Sequence, residues 1–278
     1  MRVIVDVDTA SELGDAFAVV RALIEPRFRM VGLTSAHSLR GSDGGPAGIA
    51  GSQRLNERLL ELLGRPDVPH PAGAEAPLVD PSTPSDSPAA RHIVAAALDT
   101  PPGEKLSVIA CGPVTNVASA ILLDARIVPK LRCYLVGFQY DDRAGAWSAE
   151  EFNVKSDPAA AEVLLATDRL ELHVLPATVA EKLLLRKAVV RSGLEGKGGV
   201  WDFLVDHWAE RQPHSRWWVM WDLALVEAVA RPELALEVRA AGPSGDRLIH
   251  IYTELDHSQA RLDFWNAVTL ARFRLPGE

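Results

Sequence analysis

Residues 3–20, VIVDVDTASELGDAFAVV, pass from strand to helix through a cluster of acids. An apolar run ends in two alternating aspartates, Asp6 and Asp8, and a short polar loop follows. Asp15 then opens a segment whose apolar residues, Ala16, Val19, Val20 and Leu23, fall at helical spacing. Ligands of open α/β sheets bind at the carboxyl ends of the strands. A metal or a polar substrate is therefore expected here. Carboxylates drawn into one pocket repel each other unless something positive lies between them. A hard divalent cation with oxygen ligands is the simplest solution. The competing reading makes Asp15 a helix cap and Asp6 a satisfied strand-end acid.

The same strand and helix alternation continues. A strand is expected at 30–35, and a glycine-rich stretch, HSLRGSDGGPAGIAG, occupies 37–51. That stretch lacks the lysine of a phosphate-binding loop and the spacing of a dinucleotide fingerprint, and reads as a mobile loop beside a pocket. Residues 52–64 have a strong helical period. Residues 67–74 read as a short strand at the sheet's edge, 75–88 as a loop and 91–99 as a helix. Leu106–Cys111 and 131–138 read as buried strands. The segment 150–165 enters a helix, with Asp157 as the expected N-cap and Pro158 at its first position. Strand 170–176, a mainly helical stretch over 181–231, strands 234–240 and 247–253, and a closing helix complete the chain. The fold class that follows is α/β, with an open, mostly parallel sheet and helices on both faces around a Rossmann-like core. No internal repeat or domain boundary is visible, so residues 1–278 are expected to form a single domain.

Composition narrows the function classes. The chain has 278 residues, 47% of them apolar, enough for one large core. A formal net charge of -8 without a basic block argues against nucleic acid as a partner. No apolar run reaches the roughly 18 residues a membrane span needs. The first strand begins at Arg2, leaving no room for a signal peptide. Cys111 and Cys133 lie in apolar strand-like runs without metal-ligand spacing and read as reduced core residues. Together these favour the cytoplasm.

Further polar residues follow strand ends. Thr115 and Asn116 lie past strand 106–111, Glu151 and Asn153 past strand 131–138, and Asp222 opens a helix after RQPHSRWWVMW at 211–221. Thr115, Asn116 and Asp222 could each serve only as a cap. The tryptophans could be plain core or the apolar wall of a pocket for a flat ring.

In this order, DVDTASELGD (6–15), GPVTN (112–116), EFNVKSDP (151–158) and MWDLALV (220–226) resemble the inosine-uridine-preferring nucleoside hydrolases, over most of the chain. The resemblance implies a nucleoside hydrolase-like fold and a metal-dependent N-ribohydrolase. It implies that Asp8, Asp15, the Thr115 carbonyl and Asp222 bind Ca2+, and that Asp8 takes a proton from the attacking water. It also implies that Glu151 and Asn153 orient the sugar, and that the chain forms a homodimer or homotetramer. The substrate would be a small-molecule nucleoside or related N-glycoside.

The chain also departs from the pattern. Its loop between Asp8 and Asp15 is longer than the common form and carries Glu12. Gly14 replaces the first of the usual paired aspartates, and Glu12 is expected to supply the lost sugar contact. Trp221 stands where a histidine often helps the leaving base, and is expected to line the substrate site. His37 is expected to substitute for an asparagine after the second strand. Gly145 or Ala146 stands where another asparagine is usual. Gly14 and Trp221 favour an alternative, a non-catalytic calcium and sugar-binding protein. A haloacid-dehalogenase-like phosphatase, with Asp6 as nucleophile and Asp8 as acid/base, is a further alternative suggested by DVDTA.

Overall fold

A computed structural model describes residues 1–39, 49–245 and 247–272. Its strands are β1 (Arg2–Val7), β2 (Arg29–Ser35), β3 (Leu106–Cys111), β4 (Leu131–Val136), β5 (Gln139–Asp141), β6 (Ala146–Ser148), β7 (Glu171–Leu175), β8 (Leu184–Arg186), β9 (Trp217–Val219), β10 (Ala235–Ala241) and β11 (Leu248–Leu255). Seven of them form the central sheet, in the order β10-β11-β7-β4-β3-β1-β2. All neighbours in it run parallel except β10, which pairs antiparallel with β11 at the edge. β5 with β6, and β8 with β9, form separate antiparallel ribbons.

The helices are α1 (Leu13–Ile24), α2 (Ile49–Leu62), α3 (Pro88–Leu98), α4 (Thr115–Leu123), α5 (Phe152–Ser156), α6 (Pro158–Ala166), α7 (Ala177–Ala180), α8 (Lys187–Leu194), α9 (Gly199–Arg211), α10 (Trp221–Ala230) and α11 (His257–Arg272). Successive strand residues point to opposite faces. Val3, Val5 and Val7 accordingly pack with Phe17 of α1, Leu204 of α9 and Leu223 of α10. Ile4 packs on the other face with Val108, Ile93 of α3, Val117 of α4 and Ala160 of α6. Burial on both faces is why the strands read as unbroken apolar runs.

From β1 the chain moves to β2 on one side and later returns to β3 on the other. That reversal opens a crevice at the carboxyl ends of β1 and β3, the usual ligand position in such a sheet. On one side of the sheet, Arg21 of α1 is fully buried. It donates to Glu227 of α10 at 2.7 Å, to Glu25 at 2.8 Å and to Asp263 of α11 at 2.8 Å.

Several expected boundaries move, each for a local reason. α1 opens at Leu13 with Glu12 as its N-cap, so Asp15 sits in the first turn, where its carboxylate accepts from the Glu12 N–H at 3.0 Å. β4 stops at Val136, and Phe138 adopts a left-handed φ of 60° that no strand continues. As expected, α6 starts at Pro158; the short helix α5 ahead of it is unexpected, and it is separated from α6 by the non-helical Asp157. Its carboxylate caps Ala160 N–H at 2.9 Å, with Pro158 next in line. The strand expected at 67–74 is reduced to a single bridge between Ser35 and Ala72. Polar residues 139–150 and the Trp-rich segment hold ribbon strands β5, β6 and β9. Of the loop expected at 37–51, residues 40–48 lie outside the described residues, and Ile49 already begins α2.

Candidate active site

One pocket of about 250 Å³ lies in the crevice. Asp8, Cys111 and Val136 reach it from the ends of β1, β3 and β4, and Ser11, Glu12 and Asp15 from the turn into α1. Glu151, Phe152 and Asn153 approach from α5, and Trp221 and Asp222 from the first turn of α10. Donor oxygens of Glu12, Asp15 and Asp222 lie within 4.8 Å of one another. Asp8 is 1% exposed, and its Oδ2 has no hydrogen-bond partner. Glu12 Oε1 is likewise buried without one. A Cβ at Gly112 would lie 2.9 Å from Asp8 Oδ1 and 3.0 Å from Asp8 N, so only glycine leaves Asp8 its position.

Burial pushes the Asp8 carboxyl well above its ordinary value. The Asp222 charge adds to this, and hydrogen bonds from Ser11 and Ser38 oppose it. Asp15 and Glu12 are raised in the same way, by burial first and then by their acidic neighbours. Asp222 is pushed up to about 6, chiefly by burial. Such raised groups favour folding when protonated, and that contribution is lost as pH rises through their folded-state values. Metal-free protein is therefore expected to melt at a higher temperature near about pH 5 than near about pH 8. A divalent cation should remove most of that difference. Melting curves in chelator and in calcium, across this pH range, test the expectation; a pH-independent melting temperature in chelator would contradict it.

The remaining expected site residues divide. Glu151 caps α5, its two oxygens accepting from Asn153 N–H and Val154 N–H at 3.0 Å each, while the side chain still faces the pocket. Asn153 donates to the Val136 carbonyl at 3.2 Å. The Thr115 hydroxyl does not line the pocket. It donates to Asp157 at 2.6 Å and pairs with His37 Nε2 at 2.8 Å. His37 is 3% exposed, is not among the pocket residues, and its ring pairs with the Thr115 hydroxyl. Asn116 donates to Asp6 at 2.8 Å and to the Ser35 carbonyl at 3.0 Å, tying β1, β2 and α4 together beneath the crevice. Asp6, fully buried against Asn116 and Thr34, is not among the pocket residues, so it has no access to a phosphate ester.

The tryptophans split between the two roles foreseen for them. Trp208 is core, Trp217 is exposed and Trp221 faces the pocket. Ser11, Cys111, Val136 and Phe152 are pocket residues that the sequence reading did not single out. Cys111 and Val136 could have been found as the last residues of their strands.

A second cluster, His173, Glu237 and His250, also places donor atoms within 4.8 Å. Its two Nδ1 atoms are each 2.7 Å from Glu237, and its rings stack at 4.3 Å. Nearly parallel rings leave no common point in both ring planes for a metal, so the crevice is the better cation site.

A family model described as inosine-uridine preferring nucleoside hydrolase matches residues 3–271. Uridine nucleosidase 1 of Arabidopsis thaliana is 25% identical over an alignment of 202 residues that covers 64% of this chain and 57% of that protein. The chain spans less than two-thirds of the length of the first curated relatives it matches. Among solved structures, a plant nucleoside hydrolase superposes with a TM-score of 0.76 at 16% identity, covering 96% of this chain and 98% of that one. A purine-preferring ribonucleoside hydrolase from Gardnerella vaginalis gives 0.73 at 18%, covering 98% and 99%. At such identity these structures speak for the fold, while the family model accounts for the residues from β1 through α11: the chain belongs to the inosine-uridine preferring nucleoside hydrolase family.

Proposed function

We propose that this chain hydrolyses the N-glycosidic bond of a ribonucleoside or related N-glycoside, using a water activated at a calcium site. The observation that carries the reading is the meeting of Asp8, Glu12, Asp15 and Asp222 in the crevice of a chain of this family. An all-oxygen donor set with buried, unpartnered carboxylate oxygens fits a hard divalent cation. Asp8, Asp15, Asp222 and the Thr115 carbonyl would hold it, and when bound it would supply Lewis acidity toward a water and the sugar hydroxyls.

Asp8 accepts the water's proton, for which its unpartnered Oδ2 is free. Glu151 and Asn153 orient the sugar. Buried carboxylates favour the positive charge that develops on the ring as the bond to the base breaks. Trp221 and Phe152 give the mouth an apolar wall for a flat leaving base.

Among the described residues no helix is long and apolar enough to cross a membrane. We place the protein in the cytoplasm on its buried, unpaired cysteines. A homodimer or homotetramer is supported by the exposed Leu262 and Leu270 of α11.

A reducing-sugar assay over a panel of purine and pyrimidine nucleosides, with chelator and with calcium restored, tests the reading. Sugar release that chelator abolishes and calcium restores is expected. Stoichiometric calcium binding without release from any nucleoside would favour a binding protein on the same fold.

A further inference from the structure

Glu12 occupies an unusual place in the pocket. It is the N-cap of α1, with extended backbone, and its N–H is held by Asp15 at 3.0 Å. The turn before it is pinned from α9, because Arg211 donates to the Ala10 and Ser11 carbonyls at 2.9 and 2.8 Å. Ala10 N–H is also held by Ser52 of α2 at 3.3 Å. The Glu12 carboxylate is therefore fixed at the pocket rather than trailing into solvent.

It lies over Gly14. A Cβ at that position would come 3.1 Å from Glu12 Oε1 and 3.7 Å from Met220 Cα and the Val219 carbonyl. Glycine leaves room for the carboxylate of Glu12 to approach α10, where Asp222 projects. Donor atoms of Glu12, Asp15 and Asp222 lie within 4.8 Å of one another, and Asp8 is not part of that group. The Asp8 side chain, almost wholly buried, also lines the pocket, and its Oδ2 has no partner in the protein. A cation would offset the mutual repulsion of these clustered carboxylates, whereas a sugar hydroxyl could only donate a hydrogen bond to one of their oxygens.

We propose that Glu12 is itself a ligand of the cation, not a contact to the sugar. This rests on the metal site proposed above. Glu12 gives the cation an additional anionic oxygen, and calcium sites gain affinity with ligand charge and rigidity. It also relieves Asp8 of part of the ligating role and leaves it freer to take a proton.

Calorimetric titration of chelator-stripped wild-type protein, E12Q, E12A and D222N with calcium chloride tests this without reference to turnover. E12Q is expected to bind calcium about 10–100-fold more weakly than wild type. Its metal-free melting temperature should rise, because one buried acid is gone, while the rise caused by calcium should shrink. E12A should follow E12Q in both readouts. Calcium binding by E12Q within about threefold of wild type, alongside loss of binding in D222N, would overturn the role of Glu12 and leave the metal site intact. A raised KM with unchanged calcium affinity would place Glu12 on the sugar and overturn it too. Failure of wild-type protein to bind calcium at all would remove the metal site itself.

Discussion

Asp8→Ala is expected to lower kcat on the preferred nucleoside by about 10²–10⁴-fold, the range that a positioned general base contributes. At the upper end this is roughly 5 kcal/mol of lost transition-state stabilisation. The expectation follows from where Asp8 stands. It directly follows β1 at the topological reversal of the sheet, Gly112 makes room for it, and one of its oxygens has no partner in the protein. A carboxylate buried in that way costs stability unless something binds it. The metal-free variant should therefore melt no lower than wild type, while activity collapses. At saturating calcium KM should change less than kcat, because Asp15 and Asp222 remain to hold the cation and Glu151 and Asn153 to hold the sugar. Steady-state kinetics beside a melting curve in chelator measure both effects. A variant that keeps activity within about tenfold of wild type would remove Asp8 from the base role.

The core and the site were unequally legible in the sequence. The parallel strands announced themselves because both faces are buried, so β1, β3 and β4 appear as apolar runs whatever surrounds them. Asp8, Asp15, Glu151, Asn153 and Asp222 could be expected at the crevice because each follows a strand or opens a helix there, whereas Glu12 and Trp221 were expected there only through the family resemblance. What was not legible depends on side-chain commitments made across the fold. His37 is drawn to Thr115 by a hydroxyl 78 residues away, and Thr115 in turn to Asp157. The three residues share no local pattern. Glu12 shows the same limit. Its number in the chain suggests a loop acid, but its closeness to Asp222 depends on α1 packing beside α10 and on the missing side chain at Gly14. The ribbon strands escaped notice because three-residue strands carry too little alternation to register.

Arg21→Met is expected to cost about 3–5 kcal/mol of stability, the usual consequence of removing one partner of a buried ion pair. For a chain of this size that lowers the melting temperature by about 6–20 °C. The reason lies in which acids are stranded. Glu25 keeps Arg27 at 2.6 Å, and Asp263 keeps Arg231 at 2.7 Å. Among the described residues, Glu227 is paired with no cation but Arg21, and both side chains are wholly buried. The double variant R21M/E227L should therefore be more stable than R21M alone, because an unpaired buried charge is worse than none. A double variant as unstable as the single would show that packing volume, not the stranded carboxylate, sets the loss. The pair also reaches the site. Arg21 lies on the helix whose first turn carries Asp15, and Glu227 on the helix whose first turn carries Asp222. Their bond at 2.7 Å ties the two helices together beside their apolar packing, and it should help set the separation of two proposed cation ligands. The double variant, refolded in its core but lacking that clamp, should bind calcium about tenfold more weakly than wild type, the size of effect seen when support behind a metal ligand is removed. Unchanged calcium affinity in the double variant would confine Arg21 and Glu227 to stability and leave the placement of Asp15 and Asp222 to the apolar packing between α1 and α10.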